Sequence, residues 1–252
     1  RRRGYTPESI RDFCARVGVT KQDNRIEMEL LEFCIRADLE SSAARGMAVV
    51  NPLKVLITNL PADHQEILQA PWHPKHAERG ERDIPFSASI FIDAEDFALE
   101  PAKDFKRLSP GAVVRLRYAY IIRCDEVIRD AAGEVLELHC SLLPNSKSGA
   151  DTSGARPKGV IHWVDAARSR PVDLRLYERL FVVPDPDSKD FLNQINADSV
   201  HIEKGFVEPA IAASTEVRFQ FERVGYFVKD DQLPDTFNRT VSLKDSYTPG
   251  AK

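Results

Sequence analysis

Residues 103–123 contain the strongest local concentration of side chains able to bind a charged ligand. This stretch carries six cationic side chains and one acidic one, Asp104, although the formal net charge of the whole chain is −4. Its second half alternates and predicts one strand with two faces: Val114, Leu116, Tyr118, Tyr120 and Ile122 on one, Arg115, Arg117 and Arg123 on the other. A row of guanidinium groups suits an extended anion such as a nucleic-acid backbone. A solvated strand face paired with neighbouring carboxylates has the same composition, so charge alone leaves both interpretations open.

A second candidate for nucleic-acid binding lies at residues 216–223. Alternation there predicts a strand with Val217, Phe219 and Phe221 inward, Arg218, Gln220 and Glu222 outward, and Arg223 at its end. Glutamine and arginine side chains can each make two hydrogen bonds to a base edge. Unpaired RNA bases are read by such groups and by stacking. A glutamine and an arginine on a strand face are also common without any such role.

The sequence contains none of the common catalytic motifs. It has no glycine-rich phosphate loop and no G-x-S-x-G. The close pair His73 and His76 has no third metal ligand nearby, so we expect surface histidines instead of a metal site. The residues therefore predict a binding module without a catalytic site, a metal or a cofactor of its own.

Cysteine spacing and hydropathy indicate a cytoplasmic protein. Cys14, Cys34, Cys124 and Cys140 form no C-x-x-C pair, and we expect them to be reduced thiols in the core. No apolar run approaches the roughly 18 residues of a membrane span. The chain does not begin with Met, and we expect it to continue a longer protein.

Two helices followed by many strands are predicted along the chain. The first helix covers residues 7–17, with Thr6 as N-cap and Gly18 at its end, and the second covers residues 24–39, capped by Asn24. They form a small helical unit of about 43 residues, too small to fold comfortably alone. Roughly a dozen short strands follow and predict antiparallel barrels or a sandwich. We expect residues 61–83 and 145–158 to be polar loops.

Six sequence motifs resemble the C-terminal half of glutaminyl-tRNA synthetase, a class I enzyme. They are residues 1–6 (RRRGYT), 18–24 (GVTKQDN), 158–164 (KGVIHWV), 175–181 (RLYERLF), 219–223 (FQFER) and 237–240 (FNRT). The resemblance implies a mainly β fold, in which a small α-helical subdomain (1–43) precedes two six-stranded antiparallel barrels that bind the anticodon (44–252). It also implies that glutamine and ATP with Mg²⁺ bind in a catalytic half outside this chain. The implied partner is tRNA(Gln), not DNA or a membrane, and a monomer is expected.

The resemblance also assigns tRNA contacts to individual residues. Residues 21–28 match a segment that touches the inner side of the L-shaped tRNA: Lys21, Gln22, Asp23, Asn24, Arg25, Ile26, Glu27 and Met28. The anticodon contacts fall at Arg45, Gln220 and Arg223 for the central base, Lys106 and Arg107 for the third base, and Arg115 for the first base. Lys103 is expected to contact phosphate.

Two further matched positions depart from the family pattern. Asp104 stands where the family has Gln, and an acceptor-only carboxylate would repel phosphate. Lys75 stands where the family has Asn and could replace a base contact with a phosphate contact.

Three alternatives fit parts of the sequence. The nearest is the corresponding half of a glutamyl-tRNA synthetase of the barrel type, although the motifs at 18–24 and 237–240 favour the glutamine enzyme. Another is a non-catalytic RNA- or protein-binding barrel, for which about 90 residues would suffice. The last is a structural appendage whose charged faces are merely solvated.

Overall fold

The computed structural model describes residues 1–21, 25–186 and 189–244, which form two compact units. The first unit contains residues 1–44, 172–204 and those from 216 onward, and the second contains residues 45–171 and 205–215. The predicted mainly β fold with two barrel-like sheets and few helices is confirmed. The division of the sequence at residue 43 stays a prediction.

The secondary-structure elements of the described residues are labelled in chain order. The α-helices are α1 (Pro7–Val17), α2 (Met28–Ser42) and α3 (Pro209–Ala213), and short 3-10 helices lie at Ala77–Arg79, Ala94–Asp96 and Phe191–Gln194. The strands are β1 (Ala44–Gly46), β2 (Ala48–Val49), β3 (Pro52–Ile57), β4 (Gln65–Pro71), β5 (Glu81–Ser87), β6 (Ser89–Asp93), β7 (Val113–Leu116), β8 (Ile121–Arg129), β9 (Val135–Leu142), β10 (Val160–Ile161), β11 (Val164–Asp165), β12 (Arg170–Tyr177), β13 (Val200–Val207), β14 (Arg218–Phe221), β15 (Gly225–Lys229) and β16 (Thr236–Ser242).

The main sheet of the second unit has the order β10-β7-β8-β9-β3-β6-β11, and β4 pairs with β5 as a separate antiparallel hairpin. Most neighbours are antiparallel as expected, but β10 with β7 and β3 with β9 are parallel. The core of this unit is continuous and includes Phe86, whose ring packs edge-on against Trp163. Burial of such large rings removes apolar surface from water and so stabilises the unit.

In the first unit, β14, β15 and β16 form an antiparallel meander, and β12 lies parallel to β16. Phe221 stacks on Phe227, and its ring meets Phe237 edge-on. Helix α2 covers part of this unit's core through Ile35 and Leu39. The phenylalanines of the 219–223 and 237–240 motifs are therefore core residues.

The helix predictions are partly confirmed. Helix α1 starts and ends as expected, because the Thr6 hydroxyl accepts from the Ser9 N–H at 3.1 Å and Gly18 ends the helix at a φ of 73°. The predicted start of α2 at Asn24 is wrong, since residues 25–27 are not helical and Glu27 is the N-cap. Asn24 itself lies outside the described residues. Cys14 is exposed, so the expectation that all four cysteines lie in the core is wrong for this one.

Two predictions for the second unit are wrong. Residues 61–83 are not a loop, because they contain β4 and the start of β5, with Leu68 and Ala70 buried. Residues 113–123 are not one strand: β7 ends at Leu116, and Tyr118 turns the chain with a φ of 63°. The alternation of apolar and charged residues continues through this turn, so the sequence pattern gave no sign of the break.

A buried ion pair holds the returning segment 205–215 in the second unit. The Arg82 guanidinium donates to Glu208 through Nε (2.7 Å) and Nη2 (3.2 Å), and both side chains are fully buried. Arg82 also donates to the Pro71 carbonyl, and Glu208 accepts from the Met47 N–H at 2.9 Å. One buried pair thus joins β4, β5, the residue before β2 and the N-terminus of α3.

In the first unit, Asp230 anchors the chain's N-terminal motif. Its carboxylate accepts from Arg2 Nε at 2.9 Å, from Asn238 Nδ2 at 2.6 Å, and from the backbone N–H groups of Gln232 and Leu233. Burial raises the pKa of Asp230, but these hydrogen bonds outweigh it and hold the pKa well below its ordinary value.

Replacing Glu208 should strongly destabilise the second unit. In Glu208→Ala, Arg82 stays buried without its carboxylate, and we expect a loss of about 3–5 kcal/mol in the free energy of unfolding. The measurement is urea unfolding. The matched control, Glu8→Ala, removes the exposed pair with Arg11 and should have little effect. Equal effects of the two variants would contradict the role given to the buried pair.

Acid should weaken the first unit through Asp230. A carboxylate with a lowered folded-state pKa contributes stability above its unfolded pKa, near 4, and this contribution is lost as pH falls through the folded value. The free energy of unfolding should therefore fall more steeply below about pH 4 in the wild type than in Asp230→Asn. Urea unfolding at stepped pH measures both slopes, and identical slopes would refute the assignment.

Candidate nucleic-acid interface

The cations at residues 103–107 lie on a loop that is closed at its base. The Ala98 N–H donates to the Leu108 carbonyl at 3.1 Å, and the Leu108 N–H donates to the Asp96 carbonyl at 3.0 Å. Between these bonds Lys103, Asp104 and Lys106 are exposed. The loop therefore presents two lysines and one carboxylate to solvent from a fixed base.

Arg107 is oriented by a buried carboxylate beneath the loop. Its Nε lies 3.1 Å from Asp96 Oδ1, and its Nη1 donates to the Glu95 carbonyl at 2.9 Å. Asp96 is buried and faces the ring of His162, whose Nε2 lies 2.7 Å from Asp93 Oδ2. Burial raises the pKa of Asp93, but its bonds from His162 and two backbone N–H groups lower it overall, so this carboxylate stays charged.

Gly159 brings this loop against β7. A Cβ at this position would lie 1.9 Å from the Lys106 carbonyl oxygen, so only glycine permits this approach of the two backbones. The Gly159 carbonyl in turn accepts the N–H of Arg115 at 3.1 Å. Lys106 and Arg115, predicted separately from sequence, are thus joined through one residue.

The Arg115 side chain is held by the loop that follows β9. Its Nη1 donates to the Ser146 carbonyl at 2.9 Å, and its Nη2 donates to the Asp151 carboxylate. The guanidinium remains partly accessible, with 19% of the side chain exposed. A partly exposed guanidinium in a fixed plane can present its remaining N–H groups to a planar acceptor.

Two other predicted residues of the second unit differ in exposure. Lys75 is exposed and follows β4. Arg45 is only 4% exposed, and its N–H donates to the Trp72 carbonyl at 2.7 Å.

Gln220 and Arg223 belong to the first unit. Gln220 is half-buried in β14 and its amide donates to the Tyr226 hydroxyl at 3.2 Å, which itself donates to Glu40 at 2.8 Å. Arg223 lies in the turn after β14 with a φ of 69°. The predicted alternation is correct for Phe219 and Phe221, but Val217 is exposed and Glu222 is buried, because the strand covers only four residues.

The segment 21–28 is described only in part. Gln22, Asp23 and Asn24 lie outside the described residues, and Lys21 is exposed. Arg25 pairs with Asp185, and residues 25–29 line a cavity of about 610 Å³ together with residues 179–184. This segment and Gln220 lie in a different unit from Lys106 and Arg115.

Sequence reasoning missed Asp151, Asp96 and Gly159. Gly159 stood in the motif at 158–164, yet its tight approach to Lys106 has no sequence signal. Asp151 lies in a loop without periodicity, so only the fold connects it to Arg115.

The described residues contain no cluster of three or more His, Cys, Asp or Glu side chains placed to hold a metal ion. His73 is buried, so its prediction as a surface residue is wrong; its Nδ1 accepts from the Lys75 N–H at 3.2 Å. None of the helices in the described ranges combines the length and apolar character needed to cross a bilayer.

Comparison with known protein families identifies the class of protein to which the chain is similar. Residues 43–143 and 160–230 each match a family described as the anti-codon binding domain of class I tRNA synthetases (E and Q). The chain belongs to this family. The two matches together cover most of the chain and assign it to the anticodon-binding part of that class of enzyme.

Three curated relatives of the chain are glutamine–tRNA ligases. The chain is 49% identical to that of Cronobacter sakazakii over 98% of its own length and 46% of the relative. It is 48% identical to the ligase of Neisseria meningitidis over 99% of its own length and 46% of the relative. It is 49% identical to the ligase of Ralstonia pickettii over 98% of its own length and 44% of the relative. The chain therefore spans slightly less than half the length of these relatives.

Substituting Gly159 should disturb the Lys106 loop. In Gly159→Ala the new Cβ collides with backbone, so we expect a loss of about 1–3 kcal/mol in the free energy of unfolding. Displaced backbone amide NMR signals at residues 104–108 should accompany it. Val160→Ala, a substitution of the next residue along the chain, serves as the control. Unchanged amide signals in Gly159→Ala would show that the loop does not depend on this contact.

Proposed function

We propose that this chain recognises the anticodon of tRNA(Gln) as part of a glutamine–tRNA ligase. The observation that carries the proposal is the junction at Gly159, which joins the exposed Lys103–Lys106 loop to Arg115. Most of this junction lies within residues 43–143, the part matched to the anticodon-binding family. A resemblance in sequence and a local convergence of cations support the same function.

The cations of the junction fall into two chemical kinds. Lys103 and Lys106 are exposed ammonium groups on a loop, suited to phosphate as mobile point charges. Arg107 and Arg115 are held by Asp96 and Asp151, which fixes the planes of their guanidinium groups. A fixed plane suits the edge of an unpaired base. We assign the third base to Lys106 and Arg107 and the first base to Arg115.

The remaining predicted contacts extend this proposal to the central base and the tRNA body. Gln220, Arg223 and Arg45 are proposed to read the central base, and Lys75 to contact phosphate. Since Arg45 is almost fully buried, its contact requires a local rearrangement on binding. Residues 21–28 are proposed to touch the inner side of the tRNA. Asp104, exposed among cations, would disfavour a close phosphate and so limit where the backbone passes.

Amino-acid activation is proposed to take place outside this chain. The sequence has no glycine-rich phosphate loop of the kind that cradles a nucleotide. ATP with Mg²⁺ and glutamine are therefore assigned to the part of the relatives' length that this chain does not cover. We further propose a cytoplasmic monomer that binds RNA and not DNA.

A second candidate is the same role in a glutamate–tRNA ligase, because the matched family covers both enzymes. The names of the relatives favour glutamine. Aminoacylation assays with the complete ligase, comparing the two amino acids, distinguish the two.

Removing base-reading side chains should weaken binding to tRNA(Gln) selectively. We expect Arg115→Ala and Gln220→Ala each to cost about 1–3 kcal/mol with the native anticodon and much less once the matching base is changed. Equilibrium binding to tRNAs altered at single anticodon positions measures this. Equal wild-type affinity for all anticodons would exclude the proposed function.

Lys103→Ala provides the contrasting variant. A phosphate contact carries no sequence information, so affinity should fall alike for every tRNA and the salt dependence should become shallower. Lys204→Ala, which removes an exposed lysine paired with Asp173, should leave both unchanged.

A further inference from the structure

The loop after β9 is a firmly anchored support for Arg115. The Ser146 hydroxyl donates to the Leu143 carbonyl at 2.6 Å and accepts the Ile121 N–H at 3.0 Å, while its side chain is fully buried. Further along, the Ser148 N–H donates to the Ala119 carbonyl at 2.7 Å. The Ser146 carbonyl that accepts from Arg115 is therefore fixed to the turn between β7 and β8.

The second partner of Arg115 is fixed within the same loop. Asp151 Oδ1 accepts from both the N–H and the hydroxyl of Ser153, at 2.8 and 2.7 Å. Its other oxygen, Oδ2, accepts from Arg115. The hydrogen bonds from Ser153 and then the bond from Arg115 lower the pKa of Asp151, so it is charged at neutral pH. One carboxylate oxygen therefore bonds to the loop, and the other bonds to Arg115.

These contacts constrain what Arg115 can bind. A guanidinium has five N–H donors, and within the described residues two of them are engaged, one to Ser146 and one to Asp151. The carboxylate also offsets the positive charge, which weakens attraction to a phosphate of arbitrary position. The remaining N–H donors of the Arg115 guanidinium point in a fixed direction, so they favour one arrangement of acceptors over another.

We propose that Asp151 is a positioning residue that sets specificity for the first anticodon base by holding the Arg115 guanidinium in its reading orientation. This inference rests on the proposed function. Without Asp151, Arg115 turns toward the nearest phosphate, and a sequence-reading contact becomes a non-specific one.

The test is tRNA binding by the complete chain carrying Asp151→Asn, with four tRNAs that differ only at the first anticodon base. Asparagine keeps the size of the side chain and an oxygen for Ser153, but removes the charge that holds Arg115. Discrimination among the first bases should fall at least about fivefold, the lower range for a bidentate base contact. Affinity for the non-native bases should rise, and the plot of log K against log salt should steepen by about 0.7 for one added phosphate contact.

Two variants separate this role from a structural one. Asp125→Asn removes a similar exposed partner, that of Arg123 on β8, and should change neither discrimination nor salt slope. In an Arg115→Ala background, Asp151→Asn should have no further effect on discrimination, since its action passes through Arg115. Thermal unfolding of each variant checks that the loop remains folded.

Two results would overturn the inference, and they differ. If Arg115→Ala abolishes first-base discrimination while Asp151→Asn leaves discrimination and salt slope unchanged, the anticodon function stands and the role of Asp151 is wrong. If Arg115→Ala itself leaves discrimination unchanged, both the assignment of Arg115 and the inference built on it are wrong.

Discussion

The second unit depends on the buried ion pair between Arg82 and Glu208. Two charges removed from water are stable only when their hydrogen-bonding groups are satisfied. Here the two side chains bond to each other, the Pro71 carbonyl accepts from Arg82, and the Met47 N–H donates to Glu208. Such a pair adds little net stability over an apolar alternative, but it tolerates only one arrangement of its partners. It therefore specifies where residues 205–215 lie within the unit, a position that apolar packing of this short segment would define less sharply.

The same combination of arginine and carboxylate recurs nearer the surface with a different consequence. Around Arg107 and Arg115 the carboxylates of Asp96 and Asp151 leave the guanidinium groups partly accessible. A fully buried arginine–carboxylate pair stabilises the fold. A partly exposed pair fixes the direction of the guanidinium and leaves some of its N–H donors accessible to a ligand. Exposure, and not residue type, separates Arg82 from Arg107 and Arg115, the two held arginines proposed to read bases.

Much of the fold could be predicted because its signals are local. Thr6, Pro7 and Gly18 define α1 by capping chemistry alone. The hairpin of β4 and β5 was missed because prolines, histidines and charges mask the alternation of Leu68 and Ala70. The turn at Tyr118 was missed because a non-glycine residue at positive φ has no reliable sequence signature.

The candidate site was predictable in its residue types and not in its geometry. Lys106, Arg107 and Arg115 stand out by charge and by resemblance, whereas their grouping depends on Gly159, and their orientation on Asp96 and Asp151. The contacts of Gly159 and Asp151 join segments far apart in sequence, where composition carries no information about distance.

The sequence separation of the stabilising pairs also determines when each unit can be completed during synthesis. Arg82 and Glu208 are 126 residues apart, and Arg2 and Asp230 are 228 apart. At about 5–20 residues per second, several seconds or more pass between the emergence of each arginine and that of its carboxylate. The main sheet of the second unit can form in that interval from residues 45–171. Arg82, however, stays solvated until Glu208 has been synthesised. The first unit needs residues 216–242 as well as residues 1–44, so it is completed after the second.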